Sequence, residues 1–258
     1  MIFDTHVHTD FSSDSRMLLS DAIMKAKELG IGLITTEHMD LLYPERDRFV
    51  FDIDDYFAAY NPYRGDQLLL GIEIGMRSEC LADNEAIVKN NSFDYVLGSI
   101  HMVEGIDIYY DAFYGKRTKA ETYASYFETM AECVKEYKCI DALGHIDYIA
   151  RYAKYEDNEI YYHEFQELID EVLKYTITND IVLELNTRRF GERSVVKALA
   201  PIYKRYHELG GRLAVIGSDA HTQQAVGSNF AIAKEFLEQC QLQLVYFKNR
   251  SPEYMTGK

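Results

Sequence analysis

Six of the eight histidines in this chain stand where a short apolar run gives out. His6 and His8 follow Met1–Phe3, and His38 follows Gly32–Thr35. His101 follows Tyr95–Ser99, His145 follows Ile140–Leu143, and His221 follows Leu213–Ile216. Carboxylates share the pattern: Glu73 ends the run Leu68–Ile72, and Glu184 lies within Ile181–Leu185. The runs are of strand length and rich in Ile, Val and Leu, as expected of strands buried on both faces. Leu242–Phe247 reads as an eighth. Helical periodicity fills the gaps, over Ser20–Leu29, Lys119–Tyr137, His163–Tyr175, Val195–Leu209 and Ala231–Gln239. Such alternation predicts an α/β fold with a parallel sheet.

The polar residues decide between a closed barrel and an open sheet. In a β/α barrel the carboxyl ends of all strands converge on one face, so side chains far apart in sequence meet there. In an open sheet they would be strung along a crevice. Six histidines with several acids therefore favour a barrel, as one domain over residues 1–258, with a multi-metal site at the carboxyl ends of its strands. Residues two apart in a strand point the same way, so His6 with His8, and Asp219 with His221, can each grip one ion. Imidazoles with carboxylates suit Zn, Mn or Fe, and Glu73 can bridge two ions about 3.5–4 Å apart. A lone strand-end histidine is more often a hydrogen-bonded loop residue, so the inference rests on the joint occurrence. His163 and His207 fall inside predicted helices and read as ordinary packing or surface residues. The four cysteines form no C-x-x-C pair and read as free thiols.

Charge narrows the partners. The formal net charge is −15, which disfavours nucleic acid and anionic membranes. A small anionic substrate remains open, because bound cations reverse the local field. No apolar run approaches the roughly 20 residues of a bilayer span. The opening MIFDTHVHTD has neither the basic nor the apolar region of a signal peptide, so the expected compartment is the cytoplasm.

Taken in order, these residues resemble a known family. H-x-H-T (His6, His8, Thr9), the E-H pair (Glu37, His38), G-x-E (Glu73), G-S-I-H (His101), G-H-I-D (His145), E-x-N (Glu184, Asn186) and G-S-D-A-H (Asp219, His221) are similar to the motifs of the PHP (polymerase and histidinol phosphatase) family. The resemblance implies a distorted (β/α)₇ TIM-like barrel and three divalent ions. By motif, His6, His8, Glu73 and Asp219 would hold the first, and Glu73, His101 and His145 the second. His38, His221 and Asp14 would hold the third. Asp14 stands where many members have histidine, and Glu37 where the family usually has aspartate. Glu37 is expected to hold the far nitrogen of a ligating imidazole. Length and the stretches Gly98–Gly105 and Gly144–Arg151 look most like the stand-alone members that hydrolyse L-histidinol phosphate.

The reaction class follows from such a site. Clustered divalent ions bring the pKa of water from 15.7 towards about 7, and a metal-bridging hydroxide can attack phosphorus in line. Arg151, Arg188 and Arg189, in loops beyond the fifth and sixth runs, are candidate forks for phosphate oxygens. The acidic, aromatic stretch Met102–Lys116 is expected to overhang the site, where it would either suit a cationic imidazole-bearing alcohol or serve only as a tyrosine-rich packing loop. The alternatives are a PHP phosphoesterase for a phosphotyrosine protein or a nucleotide, a non-catalytic barrel module, and a metal-dependent amidohydrolase. Oligomeric state is not legible in the sequence.

Overall fold

Strands in this protein extend past their apolar runs, into residues whose polar side chains are buried at the site. The computed structural model describes residues 1–255. The strands are β1 (Phe3–Val7), β2 (Gly32–Met39), β3 (Leu68–Gly75), β4 (Tyr95–Ser99), a hairpin of β5 (Met102–Val103) and β6 (Ile106–Asp107), β7 (Ala142–Leu143), β8 (Val182–Asn186), β9 (Leu213–Gly217), β10 (Gln243–Lys248) and β11 (Ser251–Tyr254). The first strand was expected at Met1–Phe3. Asp4, Thr5 and His6 belong to it as well, all fully buried, so polarity hid the strand from its pattern. The same holds for Thr36–His38 in β2 and Glu73 in β3.

Seven of these strands lie side by side and parallel, in the order β1-β2-β3-β4-β7-β8-β9. The first and last of the seven meet again at a narrow seam. It consists of one parallel bridge, Val7 with Ala220, and a few hydrogen bonds. His8 N donates to Ala220 O (2.9 Å), Ala220 N to His6 O (3.3 Å), and Thr5 Oγ1 to Ile216 O (3.0 Å). The fold is the expected distorted β/α barrel, with the seam as its irregular join.

The helices are α1 (Leu19–Leu29), α2 (Ile53–Tyr60), α3 (Leu81–Asn90), α4 (Asp111–Tyr114), α5 (Lys119–Glu136), α6 (Tyr148–Tyr152), α7 (Gln166–Thr178), α8 (Arg193–Glu208) and α9 (Phe230–Gln239). α1 stops at Gly30, whose φ of 68° is the left-handed turn glycine tolerates best. α5 opens with a capping box between Thr118 and Glu121 and buries Tyr123, Tyr126, Phe127, Met130 and Val134. Each buried ring contributes about 2 kcal/mol from apolar burial. The helix expected from His163 begins at Gln166. His163 sits in a single 3-10 turn, because Phe165 leaves helical geometry (φ −131°) and turns its ring into the core. All four cysteines are free. No described helix is long and apolar enough to cross a membrane.

β10 joins the start of β9 in parallel and turns back as β11. This hairpin closes the amino-terminal end of the sheet. Tyr246 stacks on Phe3 (4.1 Å) and Phe247 on Tyr95 (5.6 Å). From its turn, Arg250 Nε donates to Asp141 Oδ2 (2.5 Å) just before β7. The opposite end, at the carboxyl termini of the strands, is left for the site.

Candidate metal centre

Glu73 is the hub of that end. It is fully buried near the end of β3, and five imidazoles converge on its carboxylate. Oε1 lies 3.0 Å from His145 Nε2, 3.3 Å from His6 Nε2 and 3.3 Å from His101 Nε2. Oε2 lies 2.9 Å from His38 Nδ1 and 3.5 Å from His8 Nε2. Asp219 joins from beyond β9, with Oδ1 3.4 Å from His8 Nε2 and 3.7 Å from His6 Nε2. At the outer rim, Asp14 Oδ2 is 3.1 Å from His221 Nε2 and 3.5 Å from His38 Nε2. All nine residues singled out as metal ligands are thus brought into one cluster.

Partners behind the cluster fix which nitrogens face inward. His6 Nδ1 donates to Glu184 Oε1 (2.7 Å), and His101 Nδ1 to Asp40 Oδ1 (2.8 Å). His8 Nδ1 lies 3.1 Å from Ser12 Oγ, whose own proton goes to Glu37 Oε2 (2.6 Å). Glu37 therefore reaches an imidazole through Ser12, where direct contact was expected; its other bonds hold Thr9. Ser99 Oγ donates to Glu73 Oε1 (2.7 Å). Two close approaches need glycine: a Cβ at Gly217 would collide with His6 and Glu184, and one at Gly75 with Asp40. Asp219 takes a left-handed φ of 54°, which costs a non-glycine residue about 1 kcal/mol and marks a position set by its task.

The donor set suits divalent cations. With Nδ1 of His6 and of His8 both donating outward, their Nε2 lone pairs face each other at 3.0 Å. Two lone pairs at that distance repel unless a cation or a proton lies between them. Four of the seven buried side-chain polar atoms without a partner among the described residues are here: His38 Nδ1, Glu73 Oε2, His145 Nδ1 and Arg151 Nε. Electrostatics divide the imidazoles. Burial opposes charge on Glu73, yet the imidazoles of His6, His101 and His38 hold it well below the usual carboxylate range. Burial, with the neighbouring His38 and His221, pushes His8 well below its ordinary value; burial also lowers His145. Both therefore stay neutral, as ligands must be. At His6, His38 and His101 burial is outweighed by neighbouring carboxylates, which raise the ring well above its ordinary value, so a bound cation would displace a proton there. Four groupings have ligand atoms within 4.8 Å of one another: His6–His8–Glu73, His6–His145–Asp219, His38–Glu73–His101 and His8–His38–His221.

The arginines part ways. Arg151 is buried and paired with Asp219, its guanidinium 5.3 Å from the Tyr148 ring. Arg188 is 47% exposed at the cavity wall, with Nη1 3.7 Å from Asp219 Oδ2. Arg189 instead pairs with Asp147 (3.2 Å) and Glu159 (2.6 Å) and is absent from the cavity lining.

A cavity of about 310 Å³ opens over His38, His101 and His221. Of the acidic, aromatic stretch 102–116, only Asp107 and Tyr109 reach it. Phe113 and Tyr114 are buried, and Glu104 is tied to Arg117. The facing wall, Tyr43, Arg48 and Phe49, comes from a segment that sequence reasoning passed over. It also passed over Asp40, and only the turn residues Pro44 and Asp47 mark that segment as a loop.

The PHP domain family model matches residues 4–188. A probable histidinol-phosphatase of Clostridium acetobutylicum is 49% identical over 98% of this chain and 100% of its own. One from Thermotoga maritima is 30% identical over 88% of this chain and 87% of its own. In structure, the chain resembles the histidinol phosphate phosphatase of Lactococcus lactis, crystallised with zinc, L-histidinol and phosphate. The TM-score is 0.90 with 24% identity, over 98% of both chains. A family model spanning most of the chain, and a relative sharing half its residues end to end, lead to one conclusion: this chain belongs to the PHP domain family.

Proposed function

We propose that this protein is a metal-dependent histidinol-phosphatase, releasing L-histidinol and phosphate in histidine biosynthesis in the cytoplasm. The observation that carries the reading is the hub of five imidazoles on Glu73, in a chain 49% identical throughout to a probable histidinol-phosphatase. Three divalent ions, zinc, manganese or iron, would be held by His6, His8, Glu73 and Asp219; by Glu73, His101 and His145; and by Asp14, His38 and His221. When bound, such ions supply Lewis acidity, making water nucleophilic near neutral pH and offsetting charge on the phosphate oxygens.

The chain's own residues do the rest. Glu184, Asp40 and the Glu37–Ser12 pair hold outward protons on Nδ1 of His6, His101 and His8, leaving each Nε2 free to ligate. Arg188 stands half-exposed at the wall, loosely paired with Asp219 at 3.7 Å, where its fork could turn to phosphate oxygens. Arg151 neutralises Asp219 and presents its unpartnered Nε beside it. Arg189 acts one step away, bracing Asp147 and so the loop that carries His145. Hydrolysis forms a P–O bond from water, breaks the P–O bond to the alcohol and delivers a proton to the departing oxygen.

The test is phosphate release from L-histidinol phosphate before and after chelation. Activity should vanish on chelation and return with zinc, manganese or iron. Activity that survives complete metal removal refutes the reading.

A further inference from the structure

Two aromatic walls rise from the histidine cluster and end on one carboxylate. Along the first, ring centroids step from His101 to Tyr148 (5.0 Å), to Tyr152 (5.2 Å) and to Tyr109 (5.2 Å). Along the second they step from His38 to Phe49 (5.3 Å) and to Tyr43 (4.8 Å). Asp107 joins the far ends. Its Oδ2 accepts from Tyr43 Oη (2.6 Å), and its Oδ1 from the backbone N–H of Tyr109 (2.7 Å).

Asp107 is 7% exposed and lines the cavity. Two other acids line it, and imidazoles engage both: Asp14 meets His221, and Asp40 meets His101. Asp107 is met only by neutral donors among the described residues. A nearly buried carboxylate with neutral partners alone still gains from a charged N–H donor. The flanking rings add an attractive face for a flat, cationic group. The anion-binding groups, Arg188 and the histidine cluster, lie at the base of the walls.

We infer that Asp107 selects the substrate's imidazole. The ring lies between the two walls, its N–H donates to Asp107, and the phosphate is left at the base. The inference rests on the histidinol-phosphatase reading and adds the residue that chooses the alcohol. Asp107 is a specificity residue here, with no part in bond breaking.

The experiment compares wild type with Asp107→Asn on L-histidinol phosphate, 2-aminoethyl phosphate and 4-nitrophenyl phosphate. The second substrate has the ammonium without the imidazole. The preference for histidinol phosphate over 4-nitrophenyl phosphate, as a ratio of kcat/KM, should fall about 30-fold, carried by KM. The Ki of L-histidinol should rise by a similar factor relative to that of inorganic phosphate. A loss shared equally by all three esters would assign Asp107 a purely structural role and overturn the inference. So would a preference that survives the substitution, or a loss as large for 2-aminoethyl phosphate as for histidinol phosphate. If the asparagine variant does not fold, Asp107→Ser serves the same comparison. A wild type with no preference for histidinol phosphate is a separate result, and refutes the activity itself.

Discussion

The two ends of the sheet both bury carboxylates, and they treat them in opposite ways. At the amino-terminal end the buried acids Asp94 and Asp141 have their partners. Asp94 accepts from Arg64 Nε (2.8 Å), from Leu70 N (2.9 Å) and from Asn249 N (3.0 Å). Asp141 accepts from Arg250 and from Val96 N (2.8 Å). At the carboxyl-terminal end, Glu73 Oε2 and His38 Nδ1 lie 2.9 Å apart without a well-aligned hydrogen bond, His145 Nδ1 has no partner among the described residues, and the Nε2 atoms of His6 and His8 confront each other at 3.0 Å. A buried acid with complete pairing holds the fold together. A buried acid among unsatisfied donors and acceptors is held ready for something else. That contrast, more than the burial of charge itself, separates scaffold from site.

The comparison can be broken most directly at Glu73. Glu73→Gln should lower kcat/KM about 10³-fold and reduce bound metal. Its melting temperature under chelation should fall below that of wild type, because the imidazoles that hold Glu73 ionised lose their counter-charge. A variant that keeps full metal content and activity would erase the distinction. At the other end, Arg250→Ala should cost about 2 kcal/mol by leaving Asp141 buried without its counter-charge, while kcat/KM below the melting transition stays the same. Denaturant titration beside steady-state kinetics reads both. Arg188→Ala should raise KM for the phosphate ester about 10-fold with metal content unchanged; unaltered kinetics would remove Arg188 from the site.

The smallest effect sharpens the scaffold side. The Arg205 guanidinium holds Asp170 below its ordinary value, between α7 and α8. The folded state therefore prefers the carboxylate. The pair's stabilisation is present above the unfolded pKa of about 3.9 and is lost as pH falls through the lower folded value. Asp170→Asn should cost about 1 kcal/mol at pH 7, and its difference from wild type should close towards acid pH in chemical unfolding.

The convergence of histidines was legible because each sits at the end of a strand whose apolar core announces it. The strands were read short wherever they enter the site: Asp4 to His6, Thr36 to His38 and Glu73 are strand residues whose polarity breaks the pattern. Asp40 and Asp107 carry no motif. Each is a single acid at or just beyond the end of a strand, indistinguishable in sequence from a solvated one, and only the fold sets His101 against the first and Tyr43 against the second. Arg189 shows the converse. Its position next to Arg188 suggested a shared target, but adjacent residues in a turn point apart, and Asp147 with Glu159 claims it.

The narrow seam between β1 and β9 has a bearing on durability. His6 and His8 stand on one side of it, Asp219 and His221 on the other. A cation gripped by His8 and Asp219 together would rivet the one join that the backbone stitches only sparsely. Stripping such rivets should let the barrel breathe first at this line, with the amides of His8 and Ala220 exchanging their hydrogens before the rest of the sheet.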